Sequence, residues 1–185
     1  MSLIAVKSNL EPLMRERGSP FVVAAGEPVF AQGDRDTRLF LVEAGLLKAV
    51  YLRADGREFV KSVLGPGAVI GSLGASAQGG ACTYSLEAVK RSELRTLDFA
   101  EVREEVKRDL ALAGQVIDLL TDLAWKKEQR EFQLLSMSAE ERYCEALDAG
   151  LADGRISQAD LASYLGITPP ALSRIKRRAR TRNVR

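Results

Sequence analysis

The stretch from residue 156 to 178, ISQADLASYLGITPPALSRIKRR, constrains the fold of this chain more than any other. Ser157 with Asp160 three residues later has the spacing of a capping box, which predicts a helix start. Gly166 predicts the end of that helix, because glycine takes a positive φ without strain. Thr168 followed by proline predicts a second start. Two short helices joined by a tight turn are therefore expected.

The second of these helices has two unlike faces. Leu172, Ile175 and Ala179 share one face at spacings of three and four. The opposite face carries Pro170, Ser173, Arg174 and Arg177. An apolar back and a basic front, held across a turn from a capped helix, describe a helix-turn-helix, whose second helix enters the DNA major groove. The alternative is an ordinary helical hairpin with a solvated cationic face.

Charge favours the DNA interpretation. Residues 174–185 contain seven Lys or Arg and no acid, so the other 173 residues carry a net charge of −5 against +2 for the whole chain of 185. Cations gathered at one end suit a phosphate backbone.

Composition argues against an enzyme or a bound cofactor. The chain has no histidine, which removes imidazole bases, the commonest haem ligand and most zinc sites. Its two cysteines, Cys82 and Cys144, form no motif and are expected to be reduced, buried thiols. No apolar run approaches the roughly 18 residues of a membrane span, and the start lacks a secretory signal. These features predict a cytoplasmic protein with no membrane partner.

Residues 21–97 show a different sequence pattern, in which short β-rich runs alternate with glycine-containing turns. One such turn is expected at Ala44 and Gly45. Short strands at regular intervals predict an antiparallel sandwich or barrel. The eight predicted strands span residues 21–24, 28–30, 39–42, 46–52, 58–64, 69–70, 84–89 and 94–97.

Residues 65–80 hold six glycines in sixteen positions. Such density lets backbone amides approach a ligand closely, as they do in anion-binding loops. The glycines could equally serve turns and a close helix-to-sheet contact.

Helices are expected around residues 10–17 and 98–108, and a longer one from Asp109. Eleven of the sixteen residues 110–125 are Leu, Ile, Val, Ala or Trp, more than one buried stripe can use. We expect one side to rest on the barrel and the other to pair with a second subunit; a helix sandwiched inside one chain is the alternative. The polar residues 126–133 are expected where the helix leaves that interface and reaches a hinge. Ser138 caps the next helix, predicted to point Tyr143, Cys144 and Leu147 inward.

The order of these pieces, from about residue 21 to 178, resembles the Crp/Fnr superfamily of bacterial transcription regulators. Five segments carry the resemblance: residues 26–34 (GEPVFAQGD), 42–45 (VEAG), 65–71 (GPGAVIG), 135–143 (LSMSAEERY) and 164–175 (YLGITPPALSRI). The resemblance implies an α+β chain: an antiparallel, jelly-roll, cyclic-nucleotide-binding-like β-roll in residues 1–108, a dimerisation helix and hinge in 109–136, and a helix-turn-helix domain in 137–185. It also implies a homodimer that binds double-stranded DNA and a small-molecule effector, with RNA polymerase as a further candidate partner.

Two departures from the family bear on the effector. Cyclic-nucleotide-binding members carry Gly-Glu-Leu-Gly and a later Arg, where this chain has residues 71–74 (GSLG) and Cys82. Losing the Arg removes a charge-assisted phosphate contact, so we expect cyclic AMP to bind weakly or not at all unless Arg91 or Arg95 reaches in. The iron–sulfur and haem versions of the family also lack their ligands here. The predicted effector-binding residues are Gly71, Ser72, Leu73, Gly74, Ala75, Cys82 and Thr83.

The resemblance also assigns the DNA contacts. Pro169 and Pro170 occupy places where other members put polar base readers, which leaves Arg174 as the principal candidate to contact a guanine. The alternative function is an effector-binding or partner-binding module whose degenerate helix-turn-helix does not read DNA. The predicted DNA-binding residues are Ser157, Thr168, Pro169, Pro170, Ser173, Arg174, Lys176, Arg177, Arg178 and Arg180.

Overall fold

The computed structural model describes residues 10–182, and the side chains of residues 180–182 lie outside that description. The described chain begins with α1 (Glu11–Arg17), β1 (Ser19–Val23), β2 (Pro28–Phe30), β3 (Arg38–Leu52), β4 (Glu58–Leu64), β5 (Val69–Ile70), α2 (Leu73–Ser76) and β6 (Ser85–Asp98). Five helices follow: α3 (Phe99–Val106), α4 (Leu110–Ser136), α5 (Ala139–Asp148), α6 (Gln158–Tyr164) and α7 (Pro169–Arg182).

The strands form one antiparallel β-roll in the order β1-β6-β3-β4, with β2 also paired to β6 and β5 to β3. The antiparallel prediction is confirmed. The prediction of eight strands is wrong, because β3 and β6 each run without a break through two of the predicted strands. The pairing of β3 with β6 instead shifts register around Ala44, Leu46 and Leu47.

Gly45 explains the missing turn. Its φ of 99° is accommodated as a bulge inside β3, not as a turn. A Cβ at this position would lie 2.2 Å from Ser92 Oγ, so only glycine lets β6 come this close. The buried Ser92 hydroxyl accepts from Leu46 N at 3.1 Å and donates to Lys90 O at 2.7 Å, which ties the two strands together at the bulge.

The interior of the roll is filled by its own aromatic side chains. Phe40 contacts Phe21 and Phe30 at ring-centroid distances of 6.0 and 5.9 Å, and Phe30 contacts Tyr84 at 5.4 Å. These rings join a buried cluster that includes Cys82.

The long helix α4 has the two apolar faces that its sequence predicts. Leu112 and Leu119, with Val116 and Leu123 beside them, pack on a core built from α1, α3 and the roll. A second apolar stripe faces outward. The helix continues through the polar residues 126–133 and ends at Ser136. Four exposed members of the stripe recur at intervals of seven or eight positions: Leu110, Ile117, Trp125 and Phe132. Leu120, Leu134 and Leu135 are further exposed apolar residues of the helix.

The C-terminal helices pack on the outer face of β3 and β4, sharing one buried cluster with Leu46, Val50, Val60 and Val63. Within α5 the cap at Ser138 is confirmed as a capping box, and Tyr143 is buried as predicted. The prediction for two other α5 residues is wrong: Cys144 and Leu147 are exposed, because Ala146 and not Leu147 continues the buried stripe. No helix among residues 10–182 is both long and apolar enough to cross a membrane.

Candidate nucleic-acid interface and effector pocket

The two helices of the predicted helix-turn-helix form as their local signals indicate. Ser157 Oγ accepts from Asp160 N at 3.0 Å and caps α6. Gly166 has a φ of 68° and ends it. Thr168 Oγ1 accepts from Ala171 N at 3.4 Å, and α7 begins at the next residue, a proline. The second helix of the predicted helix-turn-helix therefore begins where the sequence predicts.

One face of α7 is buried and the other is open to solvent. Leu172 and Ile175 are buried in the cluster shared with β3 and β4, as predicted. Pro169, Pro170, Ser173, Arg174, Arg177 and Arg178 are exposed, as is Thr168 in the turn. Arg174 makes no hydrogen bond or ion pair with any residue that the structure describes, so its guanidinium is available to a ligand.

Other predicted DNA contacts already have intrachain partners. Lys176 Nζ donates to Gln158 Oε1 at 2.8 Å, and Arg178 pairs with Glu140 of α5. Ser173 Oγ donates to Pro169 O at 3.1 Å within the helix. The side chain of Arg180 lies outside the described residues. Among the basic side chains predicted to contact DNA, Arg174 is therefore the most available to a ligand.

Helix α6 is fastened to the roll by polar contacts. Lys48 Nζ lies 2.9 Å from Asp160 Oδ1 and 3.4 Å from Glu87 Oε2. Ser163 Oγ accepts from Val60 N at 3.0 Å and donates to Glu58 O at 2.9 Å, occupying the edge of β4 as a neighbouring strand would.

Two arginines that the sequence did not single out hold the end of α6. Arg130 of α4 stacks 4.1 Å from the Tyr164 ring centroid and donates to the Tyr164 carbonyl. Arg142 of α5 donates to Leu165 O at 3.0 Å and also to Met137 O. Both satisfy carbonyls that a helix end leaves without partners. No local sequence signal marks their contacts with α6, because the Tyr164 and Leu165 carbonyls are remote in sequence from both arginines.

The predicted effector-binding segments do meet in space. A Cβ on Gly74 would lie 3.1 Å from Ala81 O and 3.3 Å from Thr83 Cγ2, and Gly80 N donates to Gly74 O at 3.0 Å. Ser72 and Cys82 are buried, as is Ala75, whereas Leu73 and Thr83 are exposed. The first part of the loop, residues 71–75, therefore packs directly against residues 80–83.

No arginine reaches this loop from the neighbouring strand. Arg91 pairs with Glu93 at 2.8 Å, and Arg95 contacts Glu43 at 3.2 Å. The two arginines that could have supplied positive charge to the effector loop are therefore paired with other residues.

Lys61 of β4 is a candidate effector residue that sequence reasoning missed. Its Nζ lies 4.1 Å from the centroid of the Tyr84 ring, and the Tyr84 hydroxyl donates to Gly71 O at 2.9 Å. Burial, and secondarily the charge of Lys127 on α4, lowers the pKa of Lys61 to about 8. The contact has no local sequence signal, because Tyr84 is remote in sequence from Lys61 and precedes β6.

Comparison with known proteins places the chain in a family. The model of the cyclic nucleotide-binding domain matches residues 20–109. The cyclic AMP receptor protein of Thermus thermophilus is 30% identical over 156 residues, covering 81% of this chain and 71% of that protein. The chain belongs to the Crp/Fnr family of transcription regulators.

Further similarities agree with this membership. The nitrogen fixation regulation protein FixK of Rhizobium meliloti is 28% identical over 171 residues, covering 86% of this chain and 74% of that protein. The structure of FixK2 from Bradyrhizobium japonicum matches with a TM-score of 0.77 at 19% identity, over 90% of this chain and 86% of that chain, and so shares the fold. The α+β fold and the transcription-regulator class expected of this Crp/Fnr chain are confirmed.

Proposed function

We propose that this Crp/Fnr protein is a cytoplasmic, dimeric regulator whose α7 enters the major groove of DNA. The observation that carries the proposal is the exposed Arg174, which has no partner among the described residues and lies on a helix whose opposite face is buried. A guanidinium in that setting can bind the O6 and N7 atoms of guanine in bidentate fashion. Thr168 and Ser173 then lie beside it as backbone-positioning groups.

Phosphate contacts would come from the basic side chains around Arg174. Arg178 and Arg174 line one groove between α5 and α7, so Arg178 can exchange Glu140 for a phosphate without moving far. Lys176 and Arg177 follow on the same helix, and Arg180 continues the basic run in sequence. Ser157 caps α6 and is the least direct of these candidates.

The dimer would form through the outward stripe of α4. Leu110, Ile117, Trp125 and Phe132 recur every seven or eight positions, the spacing that keeps one seam of a helix facing a partner helix. Left in water, so long an apolar stripe would be unusual for a solvated surface. In this arrangement residues 1–108 form the sensing roll, 109–136 the pairing helix and 137–185 the reading domain.

Enrichment of bound sequences from a random duplex library tests the proposal without knowledge of the operator. A dimer with two reading helices should select a two-fold symmetric site whose half-sites lie about 10 base pairs apart. Failure to enrich any motif, together with no binding of random duplex at low salt, would favour the module that does not read DNA. The double proline at Pro169 and Pro170 is the feature that suggests that alternative.

A further inference from the structure

Arg174 lies on a boundary of α7 that offers its side chain two directions. At helical spacing it continues the face of Ala171 and Arg178, which lines a groove shared with the first turn of α5. It equally borders the exposed face that carries Ser173 and Arg177. A guanidinium that turns into the groove is placed to bind a phosphate of the DNA backbone, whereas one that extends outward can reach a base edge.

Glu140 brings a carboxylate into this groove. It is the second residue of α5, and it forms an ion pair with Arg178 across the groove. Glu141 and not Glu140 completes the capping box with Ser138, so the cap of the helix does not depend on Glu140. The Glu140 side chain is 41% exposed and therefore open to a ligand that enters the groove.

The charges that line the groove oppose one another. Two arginines attract a phosphate, while the carboxylate of Glu140 neutralises Arg178 and repels the phosphate. A phosphate bound by Arg174 inside the groove would lie close to Glu140, because both side chains line it. A guanine bound by Arg174 on the exposed face would not meet this repulsion.

We propose that Glu140 is a specificity-determining residue: its carboxylate keeps phosphates away from Arg174, so that Arg174 is left to bind a base. Without this carboxylate Arg174 would bind the backbone of any duplex, and complexes with non-specific DNA would gain affinity that carries no sequence information. Because the ligand is DNA, the inference rests on the function proposed above. Glu140 acts through its charge, and Arg174 remains the residue that contacts the base.

Anisotropy titrations of the full chain with a selected and a scrambled duplex test the proposal. Glu140→Gln should strengthen binding to the scrambled duplex by about threefold to tenfold, because each dimer has two grooves and a half-exposed charge contributes modestly in each. The selected duplex should gain less, since Arg174 is already bound to guanine, so the ratio of the two affinities should fall by about threefold.

Two further variants separate the position of the charge from its sign. Glu140→Asp keeps the carboxylate in the groove and should retain the wild-type ratio. Glu145→Gln removes the same charge from an exposed position of α5 outside the groove, and it should also leave the ratio unchanged. A Glu145→Gln protein that loses as much selectivity as Glu140→Gln would overturn the proposal, because the effect would then be one of net charge.

Combining Glu140→Gln with Arg174→Ala isolates the mechanism. In the wild-type background Arg174→Ala should scarcely affect the scrambled duplex. In the Glu140→Gln background the same change should weaken that binding by about threefold to tenfold, because Arg174 has become a phosphate contact. An equally small effect in both backgrounds would overturn the proposal.

Heparin, a sulfated polyanion without bases, separates this inference from the proposed function. Glu140→Gln should elute from immobilised heparin at higher salt than Glu145→Gln, and adding Arg174→Ala should remove the difference. If heparin shows this difference while the wild type binds neither duplex at low salt, the proposed regulator is refuted and the effect of Glu140 on Arg174 stands. Identical elution of the Glu140→Gln and Glu145→Gln proteins would overturn the role of Glu140.

Discussion

Lys48 of β3 and Asp160 of α6 form an ion pair of 2.9 Å although 112 positions separate them. Both side chains are largely buried, and Asp160 is held at the same time by the Ser157 hydroxyl at 2.7 Å. Burial lowers the pKa of Lys48, but the hydrogen bond to Asp160 and the charges of Asp160 and Glu87 outweigh it, so the pKa is raised. The pair thus couples the N-terminal cap of α6, the first helix of the helix-turn-helix, to the β-roll.

Lys48→Met should destabilise the protein by about 1–3 kcal/mol, because it leaves a mostly buried carboxylate with only a hydroxyl partner. Urea unfolding measures this. Adding Asp160→Asn should recover part of the loss, giving a coupling energy of roughly 0.5–3 kcal/mol. Arg91→Met, which removes an exposed pair with Glu93, should change stability by less than about 1 kcal/mol. Additive effects of the Lys48 and Asp160 changes would contradict a direct coupling.

The lowered pKa of Lys61 predicts a specific pH dependence of stability. Between about pH 8 and the usual 10.5 of lysine, the unfolded chain binds more protons than the folded one, so this residue makes the folded state more stable as pH rises through that interval. Below pH 8 the full penalty is present, and Lys61→Met should then be more stable than wild type by roughly 1–2 kcal/mol after allowance for solvent screening. The difference should shrink as pH approaches 10.5. A difference independent of pH would show that Lys61 is solvated when folded.

Ile117 lies in the middle of the outward stripe of α4 and is 63% exposed. Ile117→Lys should convert a dimer to a monomer in sedimentation velocity while leaving secondary structure unchanged, since a charge there disrupts only an intersubunit contact. Leu119→Ala is the matched control on the buried face: it should lower stability by about 2–5 kcal/mol and leave the folded protein dimeric. A monomer for the wild type at micromolar concentration would refute the pairing of α4.

The features predicted best from the sequence depend on neighbours in the chain. The caps at Ser157 and Thr168 and the stop at Gly166 are set by the residues beside them, and all three are present. The turn predicted at Gly45 is wrong, because a glycine among β-rich residues indicates a bulge as readily as a turn. The close approach of Ser92, which decides between them, is not visible in the local sequence.

Other features have no local signal. The Lys48–Asp160 pair and the Ser163 contacts with β4 join distant segments, so they follow from the packing of the C-terminal helices on the roll. The contact of Lys61 with Tyr84 likewise joins residues that are distant in sequence. The apolar stripes of α4 were correctly expected, because eleven apolar residues in sixteen exceed what one face can bury.

Cyclic AMP should give no saturable heat in titration calorimetry. Enclosing its phosphate without an arginine forfeits a charge-assisted hydrogen bond of about 1.5–3 kcal/mol, and losing one or two such bonds weakens affinity by roughly one to four orders of magnitude. Cys82 stands where the arginine would be and brings no positive charge to the loop. Cys82→Ser, matched in size, should bind no better than wild type. A micromolar or tighter dissociation constant for cyclic AMP would contradict this.

Fluorescence anisotropy with a selected and a scrambled duplex tests most directly whether α7 reads DNA through Arg174. Binding of the wild type should weaken with salt at a slope near −10 in log K against log salt, if about six phosphates per subunit are neutralised. Deleting residues 181–185 should flatten the slope. Arg174→Ala should weaken binding to the selected duplex by about 1–3 kcal/mol and scarcely affect the scrambled one, whereas Arg178→Ala should weaken both alike. Equal losses on both duplexes for Arg174→Ala would reduce that residue to a phosphate contact, and no DNA binding at low salt would contradict the account.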